Sequence, residues 1–94
     1  MNDFYIYILT CSDGSYYTGH TDNLEKRIAE HVNGGYCDYT RTRLPIEVVF
    51  IDTVASRAEA LEVERQIKRW TRKKKEVLIK YGWAGMKSFV KKYT

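Results

Sequence analysis

The stretch Tyr5–His31, YIYILTCSDGSYYTGHTDNLEKRIAEH, decides the fold. Two runs rich in β-formers, Phe4–Thr10 and Ser15–Gly19, flank Asp13-Gly14, one of the strongest short-range hairpin signals. Loop length then sets which side chains share a face, because strand side chains alternate with period two. A two-residue Asp13-Gly14 turn would pair Tyr7 with His20 and Tyr17 with Thr10, on opposite faces. A three-residue Ser12-Asp13-Gly14 loop, with Gly14 in the left-handed region, pairs Tyr7 with Gly19 and Tyr17 with Leu9. We expect the second register. It places Tyr7 and Tyr17 on one face and sends Ile6, Ile8, Tyr16 and Thr18 to the other.

The hairpin runs straight into a helix. Asp22 followed three residues later by Glu25 reads as a capping box that starts the helix at about Asn23. Leu24, Ile28 and Val32 trace its apolar stripe, and Arg27 and His31 stack one turn apart along the stripe's margin. Gly34-Gly35 ends it. The loop GGYCDYTRTRLP follows, carrying Tyr36, Tyr39, Arg41 and Arg43, and EVVFIDT (47–53) reads as a buried strand. A second capping box at Ser56–Glu59 opens a helix to about Thr71, with Ala60, Val63, Ile67 and Trp70 inward. Glu64 falls on the core-facing border of that helix, where a carboxylate needs a partner. Arg72–Lys75 leads into a third helix that ends at Tyr81-Gly82. The last helix, Ala84–Tyr93, has Met86, Phe89, Val90 and Tyr93 on one side and Lys87, Lys91 and Lys92 on the rest. The element order is β-β-α-β-α-α-α, a small α/β (α+β) chain without repeats or linkers.

Ninety-four residues, 44% hydrophobic, suffice for one compact domain spanning 1–94 and are too few for two. The opening MNDFYIYILT lacks the basic start and long apolar run of a signal peptide, and nothing approaches the roughly 20 apolar residues of a membrane span. A cytoplasmic protein without membrane contact is expected. Cys11 and Cys37 make neither a disulfide framework nor a zinc site with the two histidines. The net charge of +4 is unevenly spread: residues 1–64 hold five Lys/Arg against eleven Asp/Glu, whereas residues 65–94 hold eleven against one. Such a basic end suits a polyanion, since each phosphate neutralised releases counterions, although a solvated helical face is the commoner meaning of a basic run.

If the first helix packs beside the hairpin, two tyrosines, an arginine, a histidine and a carboxylate come together. Those types suit phosphodiester hydrolysis. An arginine fork holds a phosphate oxygen. One carboxylate can anchor a divalent ion whose remaining shell is water and phosphate. A tyrosine or histidine can take the proton of the attacking water. Each residue also has a purely structural reading. Most of the eight tyrosines are packing, His31 is a cation at a helix C-terminus, Arg27 pairs with Glu30, and Glu64 pairs with Lys68.

The succession Tyr5-Ile6-Tyr7, Tyr17-Thr18-Gly19, Leu24-x-x-Arg27-x-x-x-His31, then Glu64 followed by Ile67-Lys68, resembles the GIY-YIG nuclease superfamily, and within it the small stand-alone bacterial proteins. The resemblance implies a three-stranded antiparallel sheet flanked by helices, with a catalytic core over residues 4–75 and basic C-terminal helices over 72–94. By position it implies that Tyr7 and Tyr17 line the site and orient or activate water, that Arg27 binds the scissile phosphate, and that His31 assists proton transfer. It further implies that Glu64 is the single ligand of one Mg²⁺ or Mn²⁺ ion. Tyr5 stands in place of the family's first glycine and Thr18 in place of isoleucine. The asparagine that some members add after the glutamate is missing.

The implied activity is one-metal endonucleolytic hydrolysis of DNA in repair or processing. DNA is expected in preference to RNA, with Arg41, Arg43, Lys68, Arg69, Arg72, Lys73, Lys74 and Lys75 as the nucleic-acid contacts, and with a protein partner as one possible source of target choice. Two alternatives stand beside it: a non-catalytic nucleic-acid-binding module using the basic end and the 36–43 loop, and a protein adaptor using the amphipathic last helix.

Overall fold

The computed structural model describes residues 3–93, and side chains as far as residue 85. Its elements are β1 (Phe4–Thr10), β2 (Tyr16–Thr21), α1 (Leu24–Val32), the single-turn α2 (Asp38–Arg41), β3 (Glu47–Val54), α3 (Arg57–Arg69) and α4 (Arg72–Tyr93). The three strands form one antiparallel sheet in the order β2-β1-β3. α4 is interrupted at Gly82, whose φ of 70° and ψ of −169° are not helical, so it is two helical pieces, as the glycine implied. The amphipathic face of its second piece (Met86, Phe89, Val90, Tyr93, with Lys87, Lys91 and Lys92) lies outside the described side chains.

The hairpin has the three-residue loop. Tyr7 pairs with Gly19 and Leu9 with Tyr17. The Gly14 amide donates to the Cys11 carbonyl across 2.9 Å, and Gly14 takes φ 83°, which only glycine adopts without strain. The two faces of β1 consequently do different things. Ile6 and Ile8, fully buried, join Ala60, Ile67 and Leu78 in the core between the sheet and the α3/α4 layer. Burial of each such aliphatic side chain contributes about 1.5–3 kcal/mol. Tyr7 and Leu9, equally buried, point to the opposite face.

α3 begins as expected, the Ser56 hydroxyl accepting from the Glu59 amide at 3.1 Å. Other expectations are corrected. The cap of α1 is Asn23, whose side chain accepts from Lys26 N, and Asp22 instead reaches Arg57 at 3.4 Å. Thr21 Oγ1 accepts from the Asn23 amide and holds the entry one residue later than the Asp22–Glu25 pattern suggested. α1 does not bury Val32, which is 55% exposed; its one buried side chain is His31. The margin residues therefore face inward. β3 is a half-buried edge strand instead of a buried one, with Ile51 49% exposed. A register shift between Ile8 and Leu9 lets consecutive Val49 and Phe50 both reach the core.

Candidate functional site

The site grows from Tyr7. Its phenol lies over the β2 backbone at Gly19, where a Cβ would stand 2.5 Å from the hydroxyl, so only glycine admits it. The hydroxyl is 2.8 Å from His31 Nε2, and His31 Nδ1 is 2.9 Å from Thr40 Oγ1. Tyr7, His31 and Thr40 are all fully buried. Tyr17 shares the face of Tyr7, ring centroids 6.4 Å apart, and packs edge-on against His31 at 5.1 Å. Burial raises the pKa of both tyrosines well above that of a free phenol, the Arg27 guanidinium offsetting part of the effect at Tyr7. Burial, then the charge of Arg27, depresses His31 to about 4. At neutral pH the imidazole is uncharged.

Arg27 stands beside this chain. One Nη donates to the His20 carbonyl at 3.1 Å, and the guanidinium lies 3.9 Å over the Tyr36 ring. Nε is 3.4 Å from Glu30 Oε1 without hydrogen-bond alignment, and it is the one buried side-chain polar atom among the described residues that lacks a hydrogen-bond partner. Glu64, its side chain 12% exposed, is gripped at both oxygens, by His20 Nδ1 at 2.8 Å and by Lys68 Nζ at 3.0 Å. The partner that burial demanded is thus His20 as well as Lys68.

Short ties close the site. Arg43 stacks on Tyr39 at 4.0 Å, pairs with Asp13 at 3.0 Å and donates to the Tyr39 carbonyl, clasping the 36–43 segment to the hairpin loop. Arg72 does the same from the other side, donating to the Gly14 carbonyl at 2.7 Å and stacking on Tyr16. Lys68 lies 5.9 Å from the Tyr17 ring centre, while Lys74 covers Trp70 at 4.4 Å. Arg41 pairs with Asp38 at the surface. Arg69 is exposed and Lys75 half-buried.

The structure thus brings Tyr7, Tyr17, Arg27 and His31 together on one face, with Glu64 reached around the β2 edge through His20. Sequence reasoning missed His20 and Thr40. His20 follows the second tyrosine motif directly, but its side chain points to the α3 face, and its partner lies 44 residues away. Thr40 sits in a segment read as an open loop.

The GIY-YIG catalytic domain matches residues 3–77. The chain belongs to the GIY-YIG family. A UPF0213 protein of Bacillus pumilus is 42% identical over 78 residues, 83% of this chain and 80% of that one, and UPF0213 protein HQ_3675A of Haloquadratum walsbyi is 45% identical over 83 residues, 87% and 93% of the two chains. The solution structure of UPF0213 protein BH0048 from Bacillus halodurans superposes with a TM-score of 0.56 at 38% identity, covering 92% of this chain and 93% of that one. That of EF2693 from E. faecalis gives 0.60 at 36% identity, covering 85% of each. GIY-YIG membership puts the chain in a nuclease family, whose members generally use a divalent metal. No helix among the described residues is long and apolar enough to cross a membrane.

Proposed function

We propose that this GIY-YIG domain is a metal-dependent endonuclease that hydrolyses DNA phosphodiesters, with residues 4–75 as its catalytic core and the basic residues over 72–94 holding the polyanion. The observation that carries the reading is Arg27: a half-buried guanidinium tied to the His20 carbonyl, whose buried Nε has no hydrogen-bond partner, set beside two tyrosines and a neutral imidazole. Glu30 balances its charge at 3.4 Å without bonding Nε, and a phosphate oxygen would complete that donor.

Arg27 binds and orients the scissile phosphate and offsets its charge in the transition state. Tyr7 takes the proton of the attacking water as its own proton passes to His31 Nε2, so no free phenolate forms despite the raised pKa. Tyr17 packs against His31 and lines the pocket. Glu64 would hold a hard ion as its one carboxylate ligand, with His20 orienting it and Lys68 giving way. Mg²⁺ or Mn²⁺ there would neutralise charge on the phosphate. Arg41, Arg43, Lys68, Arg69, Arg72, Lys73, Lys74 and Lys75 provide further backbone contacts, and a protein partner can supply target choice. DNA processing or repair is the setting we assign.

The second reading, a binding module without turnover, is favoured by the full occupancy of Glu64 by His20 and Lys68. Incubation with branched, nicked, single-stranded and duplex DNA and with RNA, in Mg²⁺ or Mn²⁺, decides between them. Cleavage abolished by Glu64→Ala and Arg27→Ala is expected. Cleavage that survives Glu64→Ala points to a contaminant. Salt-sensitive binding with no cleavage under either metal establishes the binding module.

A further inference from the structure

We infer that Thr40 is the positioning residue that fixes the tautomer of His31, and through it the direction in which the Tyr7 proton can move. The inference rests on the nuclease reading for its meaning, but its geometry is independent of it. Three buried groups stand in line: Tyr7 hydroxyl, 2.8 Å to His31 Nε2, and His31 Nδ1, 2.9 Å to Thr40 Oγ1. A neutral imidazole carries one proton, on one nitrogen. Which nitrogen carries it is settled by what lies at each end.

Thr40 can donate once, and Cys37 offers two acceptors for that proton, its carbonyl at 3.5 Å and its Sγ at 3.4 Å from the hydroxyl oxygen. Oγ1 then offers lone pairs to His31, so Nδ1 bears the hydrogen and donates. Nε2 is left as an acceptor for the Tyr7 hydroxyl. In the reverse tautomer Nε2–H would donate to Tyr7, and the Tyr7 proton would need another acceptor. Arg27, its other polar neighbour, only donates. That arrangement strands a buried hydroxyl hydrogen, a loss comparable to a missing hydrogen bond. Only the Nδ1–H form satisfies every group in the chain, and it is the form in which the imidazole can receive a proton from Tyr7.

The α2 turn presents this hydroxyl to His31. Thr40 is the only buried residue of Asp38–Arg41, and the Arg43 clasp to Asp13 holds the segment in place. Thr40 would touch neither substrate nor metal, so its action is through His31 alone.

The test is nitrogen-15 NMR of the imidazoles, with two histidines in the chain and His20 as internal reference. The wild-type protein is expected to show His31 as Nδ1–H. Thr40→Val, which keeps the shape and removes the acceptor, is expected to shift His31 toward Nε2–H, and Thr40→Ser to restore the wild-type pattern. In the cleavage assay Thr40→Val should lower kcat by on the order of 10²-fold with KM little changed, and Thr40→Ser should recover most of it. An Nε2–H tautomer in the wild-type protein overturns the inference, whether or not any variant folds. So does a folded Thr40→Val variant with an unchanged tautomer. If the tautomer follows Thr40 as expected while the wild-type protein cleaves no nucleic acid, the positioning assignment stands and the nuclease reading fails.

Discussion

His20 joins Arg27 to Glu64: its carbonyl accepts from the Arg27 guanidinium at 3.1 Å while its Nδ1 lies 2.8 Å from Glu64 Oε1. One residue at the sheet edge therefore fixes both the group that would meet the phosphate and the group that would meet the ion. Groups that orient a ligand in this way typically change metal affinity by about 10- to 100-fold when removed. His20→Ala is accordingly expected to weaken Mn²⁺ binding by that order, and His20→Asn, which can still donate to the carboxylate, by less. Lys68→Met should act in the opposite sense, because the ammonium competes with the ion for Glu64. Calorimetric titration with Mn²⁺ in the absence of DNA measures both.

Arg27→Ala is expected to reduce kcat/KM for DNA cleavage by about 10²- to 10³-fold, the usual loss for a transition-state charge donor. Arg27→Lys should recover little of it, since an ammonium lacks the planar fork and the stack on Tyr36. Single-turnover rates at saturating protein separate this from weakened binding.

Gly19→Ala tests the close approach of Tyr7 to the β2 backbone. A methyl group 2.5 Å from the phenol oxygen and 2.6 Å from Cζ forces the ring or strand to move. A loss of about 1–3 kcal/mol is expected from overpacking, with displacement of Tyr7 from His31. Denaturant unfolding and the His31 NMR signal report the two effects.

The low pKa of His31 makes stability depend on pH. Its folded value of about 4 lies below the unfolded value of 6.5, so between these the unfolded chain binds more protons and stability rises with pH. The contribution is fully retained above 6.5 and lost as pH falls toward 4, by on the order of 3 kcal/mol. The groups facing this imidazole are Arg27, Glu30, Tyr7, Tyr17, Tyr36 and Thr40. His31→Gln should flatten the dependence over that window, and unfolding free energies measured at several pH values would show a steep wild-type slope surviving the substitution if another group were responsible.

Two arginines of the basic end should respond differently. Arg69, exposed, is expected to leave stability unchanged on Arg69→Ala while reducing the slope of log K against log salt for duplex DNA by about 0.9. Arg72→Ala also removes the bond to the Gly14 carbonyl and the stack on Tyr16. Its melting temperature should fall as well.

The parts of the fold read from the sequence are those governed by local rules. The Ser12-Asp13-Gly14 loop set the strand register, Ser56 set the start of α3, and helical periodicity put Glu64 at the core border. Readings failed where the deciding contact was distant or competed locally. Asp22 and Asn23 are both good caps, and the choice fell to Thr21 Oγ1. A short apolar run does not reveal how fully a strand is covered, so EVVFIDT reads as buried although β3 lies half-exposed at the sheet edge, paired only with β1. His20 and Thr40 carry no motif of their own, and each becomes visible only once its partner, Glu64 or His31, is placed in space.

Along β1, neighbouring side chains answer to different demands. Ile6 and Ile8 stand in the packed core, whereas Tyr7 and Leu9 line the other surface with the histidine and arginine. The two sets are neighbours along one strand and are tied again through His20, so substitutions on them are expected to couple. The strand joins two buried faces that both hold the fold together, so any change of the tyrosine and histidine set is also a change in folding free energy.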